Sequence, residues 1–424
     1  MGEAWRANRT DQMGASMNTL RVRHRLIACG FLFLPCAVLA DVVLDWNEVV
    51  LARVIAARQL PPDGARTMAM VHIGMFDAVN AVEGRYSPYA FKGSAPAGVS
   101  AEAAAATAAH TILVKLFPDQ AEPVEAAYAA SLAKIADADG KTSGIALGRQ
   151  IGAECLSMRV GDGAGAPNTY RPRTAPGVYV STTLPVSPEW ARVKPFVMID
   201  GAQFRPGPPP ALAGSQWARD YGEIKDIGAR QRATRTAEQT EVARFWAITG
   251  APSWNPVVRS LAQSRRLSLI ENARLFALVN MAAADAFVAV FDAKYAYNYW
   301  RPITAIRNAD IDENDATSPD AGWLPLIDTP LHPEYPCAHC ITAGAVGEVL
   351  EAHFGKGEVP AIVMTSPTAP GVTRRWTRID DYVKEVDNAR IWGGIHYRNS
   401  TQVGEAMGRR IGELVASSVL APVK

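Results

Sequence analysis

KYAYNYWRP (residues 294–302), PCAH (336–339) and ARIWGGIH (389–396) are three short segments rich in cations, imidazoles and small residues. Lys294 and Arg301 lie seven positions apart, which on a helix is two turns and predicts that both cations leave nearly the same face. Pro302 then ends that face, because it cannot continue the hydrogen-bond ladder. Pro336 precedes a helical run from Cys337 to Phe354, so the amides of Cys337, Ala338 and His339 are expected at a helix N-terminus, where unpaired N–H groups and the helix dipole attract anions. Arg390 adds a third fixed positive charge. His339 and His396 are able to carry protons or to bond covalently at neutral pH. Arg390 and His396 are six apart and would face different directions on an unbroken helix, but Gly393-Gly394 between them permits a bend that turns both inward. The set suits a tetrahedral oxyanion, phosphate or vanadate.

The flanking sequence is helical throughout. Apolar residues recur at helical intervals from Asp45 to Leu60, stopping at Pro61-Pro62, and again from Arg66 to Glu83. Ser100 is a candidate N-cap for an alanine-rich helix that Pro118 stops, and Glu122–Ala138 and Ser143–Val160 follow. From Gly161 to Pro210 a scatter of Gly, Pro and Thr replaces the pattern, and this segment is expected to wrap the mouth of the pocket. Gln216–Ala229 resumes helix, Thr236 and Gln239 form a capping box, and one long or two consecutive helices run from Ser264 to Trp300. Asn308–Tyr335 is a polar loop that drops onto Pro336, and Gly371–Asp380 links to the last pair of helices. Gly404, Gly408 and Gly412 mark a close helix-packing seam. The expected fold class is therefore all-α, built as packed helical bundles. The expected organisation is a targeting segment over 1–40, an N-terminal bundle with its loop over 41–213, and a C-terminal domain with the oxyanion site over 214–424.

The targeting reading rests on Arg21, Arg23 and Arg25 ahead of the apolar run Leu26–Leu39, with Val38 and Ala40 before a cut at Asp41 and Met17 as a plausible start. It implies an exported protein, periplasmic or secreted, and no other stretch is expected to reach the roughly 20 apolar residues of a membrane span. With 43 Lys plus Arg against 42 Asp plus Glu, no global field favours nucleic acid or anionic lipid. A small-molecule partner is the expectation that remains. Cys155, Cys337 and Cys340, the cysteines beyond the targeting segment, do not make a disulfide framework. Cys337-Ala-His-Cys340 is nevertheless a CxxC at a helix start, where a reversible disulfide is conceivable and two unlinked small residues are the more ordinary expectation.

The order Lys, six residues, Arg-Pro; Pro-x-x-His; Arg, five residues, His resembles the type-2 phosphatidic acid phosphatase and vanadium-dependent haloperoxidase superfamily. Leu275–Arg307 and Val71–Tyr89 resemble its haloperoxidase-like branch. The resemblance implies that Lys294, Arg301 and Arg390 neutralise the oxyanion and that the Cys337 and Ala338 region adds hydrogen bonds. It makes His396 the residue bonding the central atom and His339 the general acid–base group. It further implies vanadate as cofactor and a peroxide-dependent oxidation of halide. A phosphomonoesterase working through a phosphohistidine, with phosphate in the same place, is the nearest alternative, and a non-catalytic oxyanion-binding protein the next. His332, seven before His339, stands where the resemblance places Phe in chloroperoxidases and His in bromoperoxidases, which favours bromide or iodide; a loop histidine packing on Pro333 is the ordinary reading. His72, His110 and His353 lack such company and read as structural or surface groups. Three positions depart from the pattern: Cys337 replaces a serine, Ala338 a glycine, and Ser400 the aspartate expected four residues after the second histidine. A thiol donates a hydrogen bond poorly, and a serine cannot be the charged partner that orients His396.

Overall fold

Capping and proline chemistry set eight of the thirteen described α-helix starts. The computed structural model describes residues 41–423, apart from Asp137, Thr182 and Arg232, and the targeting segment of residues 1–40 lies outside the described residues. The described helices are α1 (Val42–Ala56), α2 (Pro61–Glu83), α3 (Ala101–Leu116), α4 (Ala121–Ala133), α5 (Asp139–Ser157), α6 (Ser215–Ile227), α7 (Ala237–Phe245), α8 (Asn255–Arg265), α9 (Leu269–Tyr297), α10 (Pro302–Arg307), α11 (Ala338–Phe354), α12 (Ile379–Trp392) and α13 (Arg398–Ser418). Among the described residues the fold is all-α apart from one antiparallel hairpin, β1 (Ile362–Ser366) with β2 (Ala369–Trp376). Ser100 caps α3 by accepting from the Ala103 amide at 3.1 Å, and Thr236 and Gln239 close the expected capping box on α7.

Two boundaries differ from the sequence reading, and one that it left open is decided. Pro61 and Pro62 start α2 rather than merely stopping α1, since proline is tolerated in a first turn whose amides need no partner. The run from Ser264 is two helices, because Ser268 and Glu271 form a second capping box that restarts the chain as α9. The hairpin lies in a stretch read only as a linker at its distal end. Its first strand alternates buried and exposed positions, a period-two signal only five residues long and easily lost among helices.

Helix α9 is the axis of the molecule. It packs on α1 and α2 from the N-terminal half and on α11 and α13 from the C-terminal half. Contrary to expectation, it is long and apolar enough to cross a membrane, with a mean hydropathy of 1.7, but 94% of that stretch is buried inside the protein. Midway along it Asp285 is fully buried and accepts from the amides of Phe196, Val197 and Met198 at 2.6, 2.8 and 2.8 Å. Asp77 in α2 does the same for Tyr89, Ala90 and Phe91 at 2.8, 2.6 and 2.9 Å. Each carboxylate thus ties an irregular segment to a core helix, because buried amides require acceptors. The first of these anchors the Gly161–Pro210 wrap, which brings Val186 to the mouth of the pocket.

The glycine seam is a close approach of α13 to α11. A Cβ at Gly404 would lie 2.7 Å from the Cys337 carbonyl and one at Gly412 2.5 Å from that of Ala345, while one at Gly408 would run into Ile341 O. Small residues here set the start of α11 directly against α13.

Candidate active site

Lys294 occupies the last turn of α9, which ends at Asn298 in the left-handed region, φ 50°. The chain then leaves the helix: Trp300 donates its amide to Gly177 at 2.9 Å, and Tyr179 donates to Asn298 O at 2.8 Å. Arg301 is the N-cap of α10, with Pro302 in its first turn. The two cations therefore do not share a helix face, and Pro302 opens a helix instead of closing one. They converge because this reversal brings Arg301 back to the end of α9.

Lys294 is fully buried, and its Nζ donates to the carbonyls of Pro333 and Glu334 at 2.9 and 2.8 Å. Arg301, also buried, donates from Nε to His332 O at 2.9 Å and from Nη1 to Ile395 O at 2.9 Å. The same Nη1 stands 3.2 Å from His396 Nε2, and Nη2 stands 3.0 Å from His332 Nδ1. Arg390, in the last turn of α12, is buried and donates to the Trp246 carbonyl, while its Nε has no hydrogen-bond partner among the described residues.

The Gly393-Gly394 pair ends α12 rather than bending it. Gly394 has φ 78°, and a Cβ there would lie 2.9 Å from Pro325 Cβ. His396 follows in the short link to α13. Its Nδ1 is 2.8 Å from Glu334 Oε1, an oxygen that also accepts from the Tyr397 amide at 3.1 Å. Glu334 was not singled out in the sequence. Its one signal is that it carries the lone charge between Asp328 and His339, in a proline-flanked stretch.

His339 lies in the first turn of α11 and places Nε2 3.0 Å from Ile248 O. A carbonyl can only accept, so Nε2 carries hydrogen and Nδ1 is left to exchange a proton. Ala338, His332, His339 and His396 line one cavity of about 200 Å³, whose apolar wall includes Trp254, Phe287 and Phe291. The Phe291 ring also meets the His332 ring edge-on at 5.4 Å.

Cys337 departs from its expected role. Its sulfur is bonded to Cys340 and accepts from the Cys340 amide at 3.2 Å, and its own amide donates to Ser400 O at 3.2 Å. The pair expected as unlinked is a disulfide, and neither the side chain nor the amide of Cys337 is left to hold an anion. The first-turn amides of Ala338 and His339 remain as the helix-terminus donors.

The electrostatics follow from burial. Desolvation holds Lys294 well below the usual lysine range, with Arg301 adding to the effect. It brings Arg301 down to about 10 and, with Arg301 nearby, Arg390 to about 9. Desolvation also holds His332, His339 and His396 well below the ordinary histidine value, and the surrounding cations lower them further. Glu334 is pushed up to about 7 by burial, against the opposing pull of Arg301, Lys294, the Tyr397 amide and the nearby Ser400 hydroxyl. Three buried cations thus share one buried carboxylate. Leaving such charge uncompensated is expensive, and an anionic guest relieves it.

Comparison with known proteins bears on the fold that carries this site. Residues 274–424 match the family of the VCPO second helical-bundle domain. Vanadium chloroperoxidase of Curvularia inaequalis is 29% identical over 146 residues, a match covering 28% of this chain and 23% of the length of that protein. Among solved structures, one described as the first bacterial vanadium-dependent iodoperoxidase is similar with a TM-score of 0.76 at 24% identity, over 90% of this chain and 98% of the other. An apo-type bacterial vanadium-dependent chloroperoxidase gives 0.67 at 16% identity, over 83% and 92%. At these identities the structural likeness establishes the fold. The chain therefore shares the helical fold of these bacterial enzymes, its residues 274–424 match the second helical-bundle domain, and it spans less than a quarter of the length of the curated relative that it matches.

Proposed function

We propose that the protein is a vanadium haloperoxidase-type enzyme that uses peroxide to oxidise bromide or iodide, with vanadate held at His396. The observation that carries this is the surplus of buried positive charge, Lys294, Arg301 and Arg390 against Glu334 alone, around a histidine nitrogen. Arg301 Nη1 can only donate, so His396 Nε2 presents a lone pair, which is what bonding to the central atom of an oxyanion requires. The donor set therefore fits vanadate: three cations neutralise its oxygens, and the Ala338 and His339 amides add hydrogen bonds. Bound there, vanadate would supply Lewis acidity toward peroxide without changing oxidation state.

The remaining tasks belong to the chain. His339 starts neutral, with Nε2–H committed to Ile248 O, so it takes the proton of incoming peroxide at Nδ1 and later returns it. Trp254, Phe287 and Phe291 keep bulk water from the cavity and strengthen every charge interaction inside it. His332 at this wall, together with the apolar lining, favours a large, weakly hydrated halide over chloride. The disulfide of Cys337 and Cys340 and the basic-then-apolar segment before Asp41 support action outside the cytoplasm.

The test is a paired assay. Protein reconstituted with vanadate is expected to show peroxide-dependent bromination or iodination, and vanadate-free protein little hydrolysis of phosphate esters. Ester hydrolysis without halide oxidation would replace this reading with the phosphatase. Neither activity, with vanadate still bound, would leave an oxyanion-binding protein.

A further inference from the structure

The resemblance assigns the orienting of the oxyanion-bonding histidine to an aspartate at position 400, and this chain has serine there. Ser400 is 1% exposed, and its hydroxyl makes no hydrogen bond of good geometry among the described residues, although it lies close enough to Glu334 to favour the charged form of that carboxylate. It does not touch the imidazole by hydrogen bond. The carboxylate that does is Glu334, which arrives from the other side, on the loop before α11.

Glu334 is held for this contact at every polar point but one. Its amide donates to Tyr299 O at 2.9 Å, and its carbonyl accepts from Lys294 Nζ at 2.8 Å. Its Oε1 accepts from the Tyr397 amide at 3.1 Å and lies 2.8 Å from His396 Nδ1. Among the described residues Oε2 has no hydrogen bond of good geometry, the Ser400 hydroxyl being its nearby polar neighbour. The protonation pattern follows from donor inventory. Arg301 Nη1 faces His396 Nε2 and has only hydrogens to offer, so the neutral ring carries its proton on Nδ1. Oε1 already receives one amide hydrogen, which makes it an acceptor toward Nδ1–H as well. The two ends of the ring therefore agree on one tautomer.

We propose that Glu334 is the positioning residue of His396: by accepting the Nδ1 proton it keeps the Nε2 lone pair aimed at the oxyanion, doing from position 334 what Ser400 cannot do from position 400. This rests on His396 being the residue that meets the oxyanion. The same arrangement, in which a carboxylate fixes the tautomer and orientation of a ligating histidine, recurs in metal sites, where losing the partner lowers affinity by about 10- to 100-fold. The sequence signature is a buried glutamate two residues after His332, present together with the loss of the aspartate at 400.

Two measurements on the full-length protein test this. The first is ¹⁵N NMR of histidine-labelled protein without any oxyanion, with the His396 signals assigned by comparison with H396Q. Wild type is expected to show the Nδ1–H form, and E334A a mixture containing Nε2–H. A glutamate that merely balances charge would not move this readout. The second is calorimetric titration with vanadate, in which E334A is expected to bind about 10- to 100-fold more weakly. E334Q keeps an acceptor oxygen and should lose less, and E334Q/S400D should regain affinity by returning the carboxylate to position 400. If E334A fails to fold, E334L, which fills similar space and has no acceptor oxygen, carries both measurements. Unchanged tautomer and unchanged vanadate affinity in the variant that folds would overturn the proposal. Wild type that binds neither vanadate nor phosphate would instead overturn the pocket reading, and the tautomer, measured without oxyanion, would still decide the role of Glu334.

Discussion

His72 and His396 are both buried to within 1% of complete exclusion from solvent, yet their surroundings differ in kind. His72, on α2, has Nε2 2.9 Å from Asn47 Nδ2, and Asn47 in turn donates to Asn255 Oδ1 at 2.8 Å. Asn280 and Trp254 extend the chain of contacts, with Trp254 Nε1 donating to Asn280 Oδ1 at 3.1 Å. Every one of these groups is uncharged. They link α1, α2, α8 and α9, and the Phe276 ring stacks on His72 at 5.1 Å. Around His396 the neighbours are Arg301, Lys294, Arg390 and one carboxylate. Burial makes both imidazoles neutral, so burial alone does not mark a functional histidine. What separates them is whether the cluster closes electrically on itself. The amide cluster carries no charge that needs a counterion, even with Asn47 Oδ1 and His72 Nδ1 unpartnered among the described residues, and we read it as scaffold. The cationic cluster needs a guest.

The largest effect should come from breaking the cationic cluster. Lys294→Met keeps the length of the side chain and removes the ammonium. We expect vanadate or phosphate affinity to fall about 100-fold, the scale of losing a charge-assisted donor from an oxyanion site. Stability without oxyanion should hold or rise, because the ammonium is desolvated and stands against Arg301. Calorimetric titration and thermal unfolding of the same samples check both halves. A large loss of stability with unchanged affinity would erase the distinction between the clusters.

The reciprocal change sharpens it. Asn255→Ala removes the acceptor for Asn47 and the donor to Ala251 O at 3.2 Å, leaving buried amides unpaired. The expected cost is about 2–3 kcal/mol of stability, with oxyanion affinity unchanged within error. Denaturant unfolding gives the first quantity and titration the second. Affinity that fell together with stability would mean that the two clusters are coupled through α9.

Much of this was readable before folding, and what was not has a common cause. Lys294, Arg301, His339, Arg390 and His396 stood out because their types and order match the pattern the resemblance supplies, and the fold brings Arg301 within hydrogen-bond distance of both His332 and His396. Ser100, the Thr236–Gln239 box and the Gly404–Gly408–Gly412 seam were legible because capping and close packing act over three or four residues. The hidden features depend on distant partners. Glu334 meets His396 across 62 residues, and no local pattern announces such a pair. Arg301 reaches its place through the left-handed Asn298 and the pairing of Trp300 with Gly177. A helix extended on spacing alone puts Lys294 and Arg301 on one face, whereas the chain brings them together by a reversal between two helices. The Cys337–Cys340 bond was visible as a CxxC, but whether its sulfurs join depends on how the first turn of α11 is held.

The smallest effect lies in the pH dependence of the neutral cluster. Burial lowers the His72 pKa to about 3, from an ordinary 6.5. Between those values the unfolded chain binds a proton that the folded chain refuses. Stability therefore falls as pH drops below about 6.5 and keeps falling toward 3, the opposite of a histidine raised by an acidic partner. At pH 5.5 the loss from this one group is about 1.4 kcal/mol relative to neutral pH. His332, His339 and His396 shift in the same direction, so the difference between wild type and His72→Gln isolates the contribution. Denaturant unfolding at pH 7.5 and 5.5 should show a shallower acid loss in the variant by about that amount. Equal losses in both proteins would place the acid sensitivity in the cationic cluster, and His72 would then be no titrating part of the scaffold.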